Sequence, residues 1–485
     1  MYNSIQHFLE KGIEELDKTL INYSNDLSKI AEMVYGVSGS VVNLGLSIIA
    51  EELEMYDEHL RKSADRKKNW SIVRRDETTL LTSLGSVTYH KTLFKNKKTG
   101  TSEYLLDRYM KLEKHARMTE DAEARILEEA VESSYRKGGD NVCIGLENVS
   151  KQTVMNKIHA LKFPSAPKTD KKKEQPYLYI DCDEDHVSLQ YLEEKGDINK
   201  RKRVNTIMPK MAYVYDGVET INKRNQLVNA RYFGGVYDGT KGNQNLWKEI
   251  SDYIDENYDT EKLKKIFVNG DGAAWIKSGA KEISKGKFVL DKFHMHKYII
   301  GATSHLGDSS EDARNEIYRA IHKRNKKYAE EVFNRILNVT EGKGKTETVE
   351  AAKSYILGNW TGIMEQLKNK DATIECSAEG HVSHIFADRM SSRPLGWSRT
   401  GADKMARLRV YYYNKGDMLE LVRYQKTEMK QAAGAENEIL NLGEILKMER
   451  EHKRKLGSYA DMHIYTIPYP QIKKIANFKA HIYGL

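Results

Sequence analysis

Cysteine is scarce in this chain of 485 residues: Cys143, Cys182 and Cys376 stand far apart, with no CxxC or Cys/His metal spacing among them. That excludes a disulfide framework and a zinc finger, and fits a reducing compartment. Proline is also rare, and three of the seven prolines fall in FPSAPKTDKKKEQP, a segment too polar and too punctuated to build a core. No run approaches the roughly 20 apolar residues of a membrane helix, and the opening MYNSIQHFLEKGIEELDKTL has no apolar stretch of the signal-peptide kind. The expectation is a cytoplasmic protein with no membrane partner. A GxxxxGK[ST] phosphate loop and a Ser/His/Asp nucleophile elbow are both absent, so neither ATP-driven chemistry nor a covalent nucleophile is indicated. Nothing repeats at a solenoid period.

What is present fits an ordinary globular protein with a real core, 39% hydrophobic and 31% charged, long enough for roughly two to four domains. Lys and Arg outnumber Asp and Glu by 78 to 70, a net +8 that acquires meaning only where it is concentrated. It is concentrated in KTDKKK, in KRKR (Lys200, Arg201, Lys202, Arg203) and in HKRNKK (His322 to Lys327). Such runs usually face water, but near a catalytic sheet they can neutralise backbone phosphates.

Apolar residues at helical spacing (Ile5, Phe8, Leu9, Ile13, then Val41, Val42, Leu44, Ile48, Ile49) predict a helical arm over about residues 1–70. Residues 71–163 read as a β-hairpin, at about 78–106, followed by a helix from Thr119 to Tyr135, a Gly-Gly break and a short helix capped by Ser150. That outline resembles a helix-turn-helix, whose exposed Lys151, Gln152, Asn156 and Lys157 would face a DNA groove; it is also the outline of many plain packing units.

Residues 164–176 form the expected linker. Beyond it the expectation is a strand from Tyr177 to Gln190, strands near 210–215 and 231–237, a helix near 245–258, and strands at 265–269 and 287–290. Three strands, then helix, strand, helix, strand is the element order of a ribonuclease H-like sheet, though other α/β sheets share it. The first part of this core spans 177–300, a helical insertion 301–370, the second part 371–415, and a helical C-terminal region 416–485.

Three acids carry most of the chemical information. In YLYIDCDEDHVSLQ, strand alternation sends Asp181, Asp183 and Asp185 to one side and Cys182, Glu184 and His186 to the other; Asp183 is the preferred metal ligand, with Asp181 and Asp185 as alternates. In KKIFVNGDGAAW, Asp271 follows a strand between two glycines that allow close backbone approach or a tight turn, although Asp-Gly turns are common in themselves. Glu379, in CSAEGHVSHIFADRM, has Glu375 as a rival and His381, His384, Asp388, Arg389 and Arg393 as neighbours, the two arginines being candidate DNA contacts. Three carboxylates brought together in a basic protein point to Mg2+ (or Mn2+), a pair of ions about 3.5–4 Å apart, and to phosphodiester chemistry on a polyanion. His294 and His296 in DKFHMHKYI are auxiliary candidates that would orient the site or contact DNA rather than serve as primary ligands.

These motifs, with TSLGSVTYHKTLF, VSKQTV and SAEGHVSHIFADRMSSRPLGWS followed by GADKMARLR, resemble the ISLre group of bacterial insertion-sequence transposases, relatives of the Mutator-like superfamily. The resemblance spans most of the chain. It implies a ribonuclease H-like fold with a helical insertion between the second and third acids, and a DDE triad of Asp183, Asp271 and Glu379. Relatives of that group often carry Glu-Ala-Asp-Glu-Asp-His where this chain has Asp181-Cys182-Asp183-Glu184-Asp185-His186. The implied activity is binding of terminal inverted repeats, strand cleavage and strand transfer, with two protomers on DNA. The rivals are a domesticated nuclease or resolvase and a catalytically inactive DNA-binding protein.

Overall fold

The computed structural model describes residues 2–191, 205–369, 373–393 and 395–433. The chain forms two compact units, one built mainly from residues 1–119 with 144–146, the other from 120–143 and 147–425. The expected hairpin and the expected helix pair therefore belong to different units.

In the first unit, helices α1 (Ile13–Asn25) and α2 (Ile30–Lys62) precede an antiparallel sheet of β1 (Trp70–Leu81), β2 (Ser86–Asn96) and β3 (Ser102–Tyr104). The hairpin starts at Trp70, eight residues before the expected position, because most of the first half of β1 is exposed and carries Arg74, Arg75 and Asp76 instead of an apolar alternation. Leu46, Ile49, Leu53 and Leu60 of α2 pack on Leu80, Val87, Tyr89 and Phe94. The buried Asp57 carboxylate accepts from the backbone N–H and the hydroxyl of Thr92, at 2.8 and 2.6 Å, which fixes the helix to the sheet. One expectation is corrected here: α2 is long and apolar enough, by length and composition, to cross a membrane. The scattered glycines, serines and asparagine of VYGVSGSVVNLGLSIIA hid that stretch; Leu46, Ile49 and Leu53 are partly buried against the sheet, while Val34, Tyr35 and Val41 are exposed.

The second unit is a mixed α/β structure. It opens with α3 (Glu120–Glu132), α4 (Tyr135–Asp140) and α5 (Lys151–Ala160). Gly138 and Gly139 lie inside α4 instead of breaking the chain; a Cβ on Gly139 would stand 2.0 Å from the Val149 carbonyl oxygen, so close packing is what requires glycine there. Ser150 caps α5 by accepting from Thr153 N–H, as its position predicts.

The central sheet contains β4 (Tyr177–Glu184), β5 (Lys210–Tyr215), β6 (Arg231–Gly235), β7 (Lys265–Gly270) and β8 (Gly286–Leu290) in the order β6-β5-β4-β7-β8. The first three are antiparallel neighbours, and β7 and β8 run parallel to β4. Strand β4 ends at Glu184, short of the expected Gln190, and Val187–Ser188 pairs separately with Thr206–Ile207. Between β5 and β6 lies a ribbon, Gly217–Ile221 with Arg224–Val228, that the sequence pattern did not announce.

Leu178, Ile180 and Cys182 of β4, with Ile266 and Val268 of β7, face helices α6 (Gly239–Asn257) and α7 (Ala274–Glu282) through Trp247, Ile250 and Ile276. Alternation therefore turns Tyr179, Asp181 and Asp183 to the opposite face, where Tyr179 stacks on Tyr215 and Phe267. After β8 come five helices, α8 (Lys292–Thr303), α9 (Ser310–His322), α10 (Lys326–Val339), α11 (Lys343–Gly358) and α12 (Trp360–Lys368), which share their own core of Ile299, Ile317, Phe333, Val349 and Ile356. Then follow the short α13 (Ala378–Val382), a π-turn at Ser383–Ala387, α14 (Arg399–Tyr413) and α15 (Met418–Ala433). The rest of the expected C-terminal helical region lies outside the described residues.

Candidate functional site

Sheet register places the acids. Asn269 is the partner of Asp181 across the parallel ladder of β7 and β4, so Asp271 and Asp183 follow two residues later on adjacent strands, whose spacing is about 4.8 Å. Gly270 pairs with Leu290 of β8, and Asp291 comes next, its N–H bonded to the Gly270 carbonyl at 2.9 Å. Three neighbouring parallel strands thus each carry an aspartate at or just past their carboxyl ends, on the same edge of the sheet.

Asp183, Asp271 and Glu379 line one pocket of about 250 Å3, together with Asp291, His294, Phe293, Cys182, Cys376 and Ser377. Asp183 and Asp271 are half-buried and Glu379 is exposed, in the first turn of α13. Among the described residues no three His, Cys, Asp or Glu side chains stand close enough to form a ready cation cage. Burial, with the neighbouring Asp271 carboxylate, pushes Asp183 up to about 6 against the pull of the Glu184 N–H and of His294. Such a pair of carboxylates repels itself, and a cation between them would relieve the repulsion.

The turn carrying Asp271 is built tightly. Its carboxylate accepts from Ala273 N–H at 2.9 Å, and Tyr355 of α11 donates its hydroxyl to the Asp271 carbonyl at 2.5 Å. Gly272 has φ +90°, a left-handed conformation over which the Asn359 side chain lies, and a Cβ on Gly270 would meet Ile276 and the Cys182 carbonyl. Both glycines are required for the reasons their positions suggest.

His294 and His296 diverge. Asp291 caps α8 by accepting from the N–H groups of Phe293 and His294, and its carboxylate lies 2.7 Å from His294 Nδ1. That bond, reinforced by the Asp271 and Asp183 charges, raises His294, while burial opposes the shift. Burial likewise acts against ionisation of Asp291, but the His294 bond and the two amides outweigh it and hold the carboxyl below its ordinary value. His296 points elsewhere, stacked on Tyr318 with Nδ1 at 2.6 Å from its hydroxyl.

The alternates to Asp183 have other occupations. Asp181 is fully buried and accepts hydrogen bonds from Tyr213, Tyr215, Asn269 and Ser377. Asp185 lies beyond the strand end and is also buried, its Oδ1 accepting from His186 N–H and Ser391 Oγ. Neither lines the pocket. Glu375, the rival of Glu379, pairs with Lys292 at 3.0 Å and does not line it either. The two thiols at the pocket are pushed up by burial and nearby carboxylates, which disfavours thiolate ligation.

Of the expected DNA contacts, Lys151, Gln152 and Asn156 are exposed on α5, and Arg393 is exposed as well. Lys157 is not free as expected: it pairs with Glu123 of α3 at 2.7 Å. Arg389 is corrected outright, being buried between the Tyr135 and Trp397 rings and donating to the Ala130 carbonyl, with burial lowering its pKa to about 10. Lys200, Arg201, Lys202 and Arg203 lie outside the described residues. The sequence reasoning missed Asp291, although FVLD repeats the strand-then-acid pattern of VNGD, and Ser377, which has no such signature.

Fold and site define an α/β protein with a carboxylate-lined pocket at the carboxyl edge of a mixed five-stranded sheet. The chain belongs to UPF0236, an uncharacterised protein family whose profile matches residues 23–428. It is similar to a UPF0236 protein of Caldanaerobacter subterraneus subsp. tengcongensis, 36% identical over 409 residues that cover 83% of each chain, whose designation joins eleven loci of that genome. It is also similar to a UPF0236 protein in the vanSb 3′ region of Streptococcus gallolyticus, 24% identical over 83% of this chain and 88% of that one. Among solved structures, the Drosophila P element transposase strand transfer complex covers 62% of this chain and 80% of its own at 12% identity, with a TM-score of 0.22, which carries no argument about fold or function.

Proposed function

We propose that the chain is a DDE transposase of an insertion sequence, with a ribonuclease H-like catalytic core that cleaves and joins DNA at the element's terminal inverted repeats. The observation that carries this reading is the convergence of Asp183, Asp271 and Glu379 on one pocket from positions spread over almost 200 residues. The ribonuclease H-like part is supported by strand order: three antiparallel strands, of which β4, the middle strand of the five, carries the first acid, then two parallel strands, then a helical insertion before the third acid. Mobility of the gene is supported by the family's multicopy relative, whose name covers eleven loci.

The donor set fits a hard divalent ion, since the pocket presents carboxylate oxygens and disfavoured thiols. Asp183 and Asp271 would hold Mg2+ or Mn2+, expected as a pair of ions, and Glu379, which lines the same pocket, would complete the set. Such an ion, when bound, supplies charge neutralisation at the attacked phosphate and a more acidic attacking hydroxyl. The protein's own groups do the rest. The strand ends position two carboxylates, and Asp291 holds the His294 ring through Nδ1 and favours its protonated form. Lys151, Gln152, Asn156 and Arg393 are the proposed DNA contacts, and two protomers would hold a pair of element ends.

The test is cleavage or joining of DNA bearing the terminal inverted repeats, by purified protein with Mg2+ or Mn2+. Asp183→Asn, Asp271→Asn and Glu379→Gln should each abolish it while leaving folding and DNA binding intact. Wild-type-like catalysis by any one variant removes that residue from the triad, and an inert wild type with both ions overturns the reading.

A further inference from the structure

We propose that Asp181, two residues before the first acid, is a positioning residue that ties the segment bearing Glu379 to the sheet; the proposal rests on the catalytic reading of that pocket. The Asp181 carboxylate is 0% exposed and accepts five hydrogen bonds. Oδ1 takes Asn269 Nδ2 at 2.7 Å from β7 and the Tyr215 hydroxyl at 3.1 Å from β5. Oδ2 takes the Tyr213 hydroxyl at 2.9 Å, the Ser377 N–H at 2.8 Å and the Ser377 hydroxyl at 3.3 Å. Tyr213 and Ser377 are also joined to each other, Oη to Oγ, at 2.7 Å.

Ser377 is the residue that starts the Glu379 helix: it flanks Ala378, and its carbonyl accepts from His381 N–H. The His381 ring lies 4.7 Å from that of Tyr213, and its Nδ1 is 3.0 Å from the Tyr232 hydroxyl. One carboxylate therefore joins points 196 residues apart, each two residues from a proposed catalytic acid. Removing it would leave the Ser377 N–H and the Asn269, Tyr213 and Tyr215 donors without this acceptor; β4, β5 and β7 keep their backbone ladders, so the loss falls hardest on the segment.

A metal ligand and a tether make different demands on this side chain. A ligand needs the negative charge; a tether needs only an acceptor facing Ser377. Asparagine can meet the second demand, because Asn269 Oδ1 is buried with no partner and can receive the new amide N–H once the Asn269 amide is turned over.

The experiment compares Asp181→Ala, Asp181→Asn and Asp183→Asn in the full-length protein by two measurements. One is hydrogen exchange of peptides spanning residues 376–382; the other is kcat and KM for Mg2+-dependent cleavage of terminal-repeat DNA. Asp181→Ala should speed exchange by roughly tenfold and lower kcat by roughly 100-fold with KM within about twofold of wild type. Asp181→Asn should recover most of both losses, and Asp183→Asn should be inactive with wild-type exchange.

Unchanged exchange in Asp181→Ala overturns the proposal. So does an Asp181→Asn variant that is as inactive as the alanine variant while its exchange is that of wild type, since charge is then what the site needs. If the alanine variant does not fold, Tyr213→Phe removes a donor shared by Asp181 and Ser377; roughly threefold faster exchange supports the tether and no change overturns it. An inert wild type sinks the catalytic reading, and the exchange measurement still decides whether Asp181 anchors residues 376–382.

Discussion

Asn269 donates its side-chain N–H to Asp181 at 2.7 Å, directly across the ladder between β7 and β4. The buried apolar faces of β4 and β7 fix the register in which Asp271 arrives beside Asp183, because a slip of one residue would turn every side chain of β7 to the other face, and the bond forms in that register. The pocket's two half-buried carboxylates are therefore set by backbone pairing before any ion or substrate is considered.

Losing one carboxylate should be selective. Each of Asp183→Asn and Asp271→Asn is expected to lower DNA cleavage by roughly 100-fold or more while leaving DNA affinity within about threefold. Gel-based cleavage assays beside binding isotherms check this, and a parallel fall in affinity would mean that the acids act mainly in binding.

Stability should depend on pH through Asp183. Its folded-state pKa, about 6, lies above the ordinary carboxylate value of 3.8, so the stabilisation it lends is full below the latter and is lost as pH rises through 6. The metal-free Asp183→Asn protein should therefore be more stable than wild type at pH 7.5, by about 1–3 kcal/mol, and no more stable at pH 4. Thermal melts at the two pH values read the difference, and Mg2+ should raise the wild-type Tm more than that of the variant.

His294 should shift stability with pH in the same direction as Asp183, from a different cause. The Asp291 bond raises its pKa, so its contribution to stability is present below the ordinary histidine value of 6.5 and fades as pH climbs past the raised one. His294→Ala should cost more stability at pH 6 than at pH 9, and it should impair cleavage. His296→Phe, which keeps a ring against Tyr318, should leave cleavage within about twofold of wild type.

A packing prediction tests the sheet's helical cover without reference to activity. A Cβ on Gly279 of α7 would stand 1.7 Å from the Trp247 ring, whereas one on Gly344, near the start of α11, meets nothing within 4 Å. Gly279→Ala should destabilise by about 1–3 kcal/mol or more, and Gly344→Ala should be neutral or stabilising by up to about 1 kcal/mol. Denaturant titration checks both.

Much of the central sheet was legible because β4, β5 and β7 are covered on both faces and read as nearly continuous apolar runs. Elements with other sources of order were not. The ribbon at 217–228 turns through Asn222 and Lys223, both at positive φ, so the glycine that normally marks such a turn is missing. The first half of β1 is mostly solvent-exposed and carries no alternation to detect. At the site, strand ends pointed to Asp183 and Asp271, whereas only the family resemblance favoured Glu379 over Glu375. What Asp181 does was hidden, since its partners Tyr213, Tyr215, Asn269 and Ser377 come together only in three dimensions. Arg389 misled for a related reason: a guanidinium between two aromatic rings looks, in sequence, like any surface arginine.

The five-helix block between β8 and Glu379 reaches back to the second acid, through the Tyr355 hydroxyl on the Asp271 carbonyl and the Asn359 amide over Gly272. It is thus a buttress, not an ornament. Anyone trimming this protein to a minimal fragment that keeps the pocket would have to spare α11, since excising the block would remove the Tyr355 and Asn359 contacts from the loop that bears Asp271.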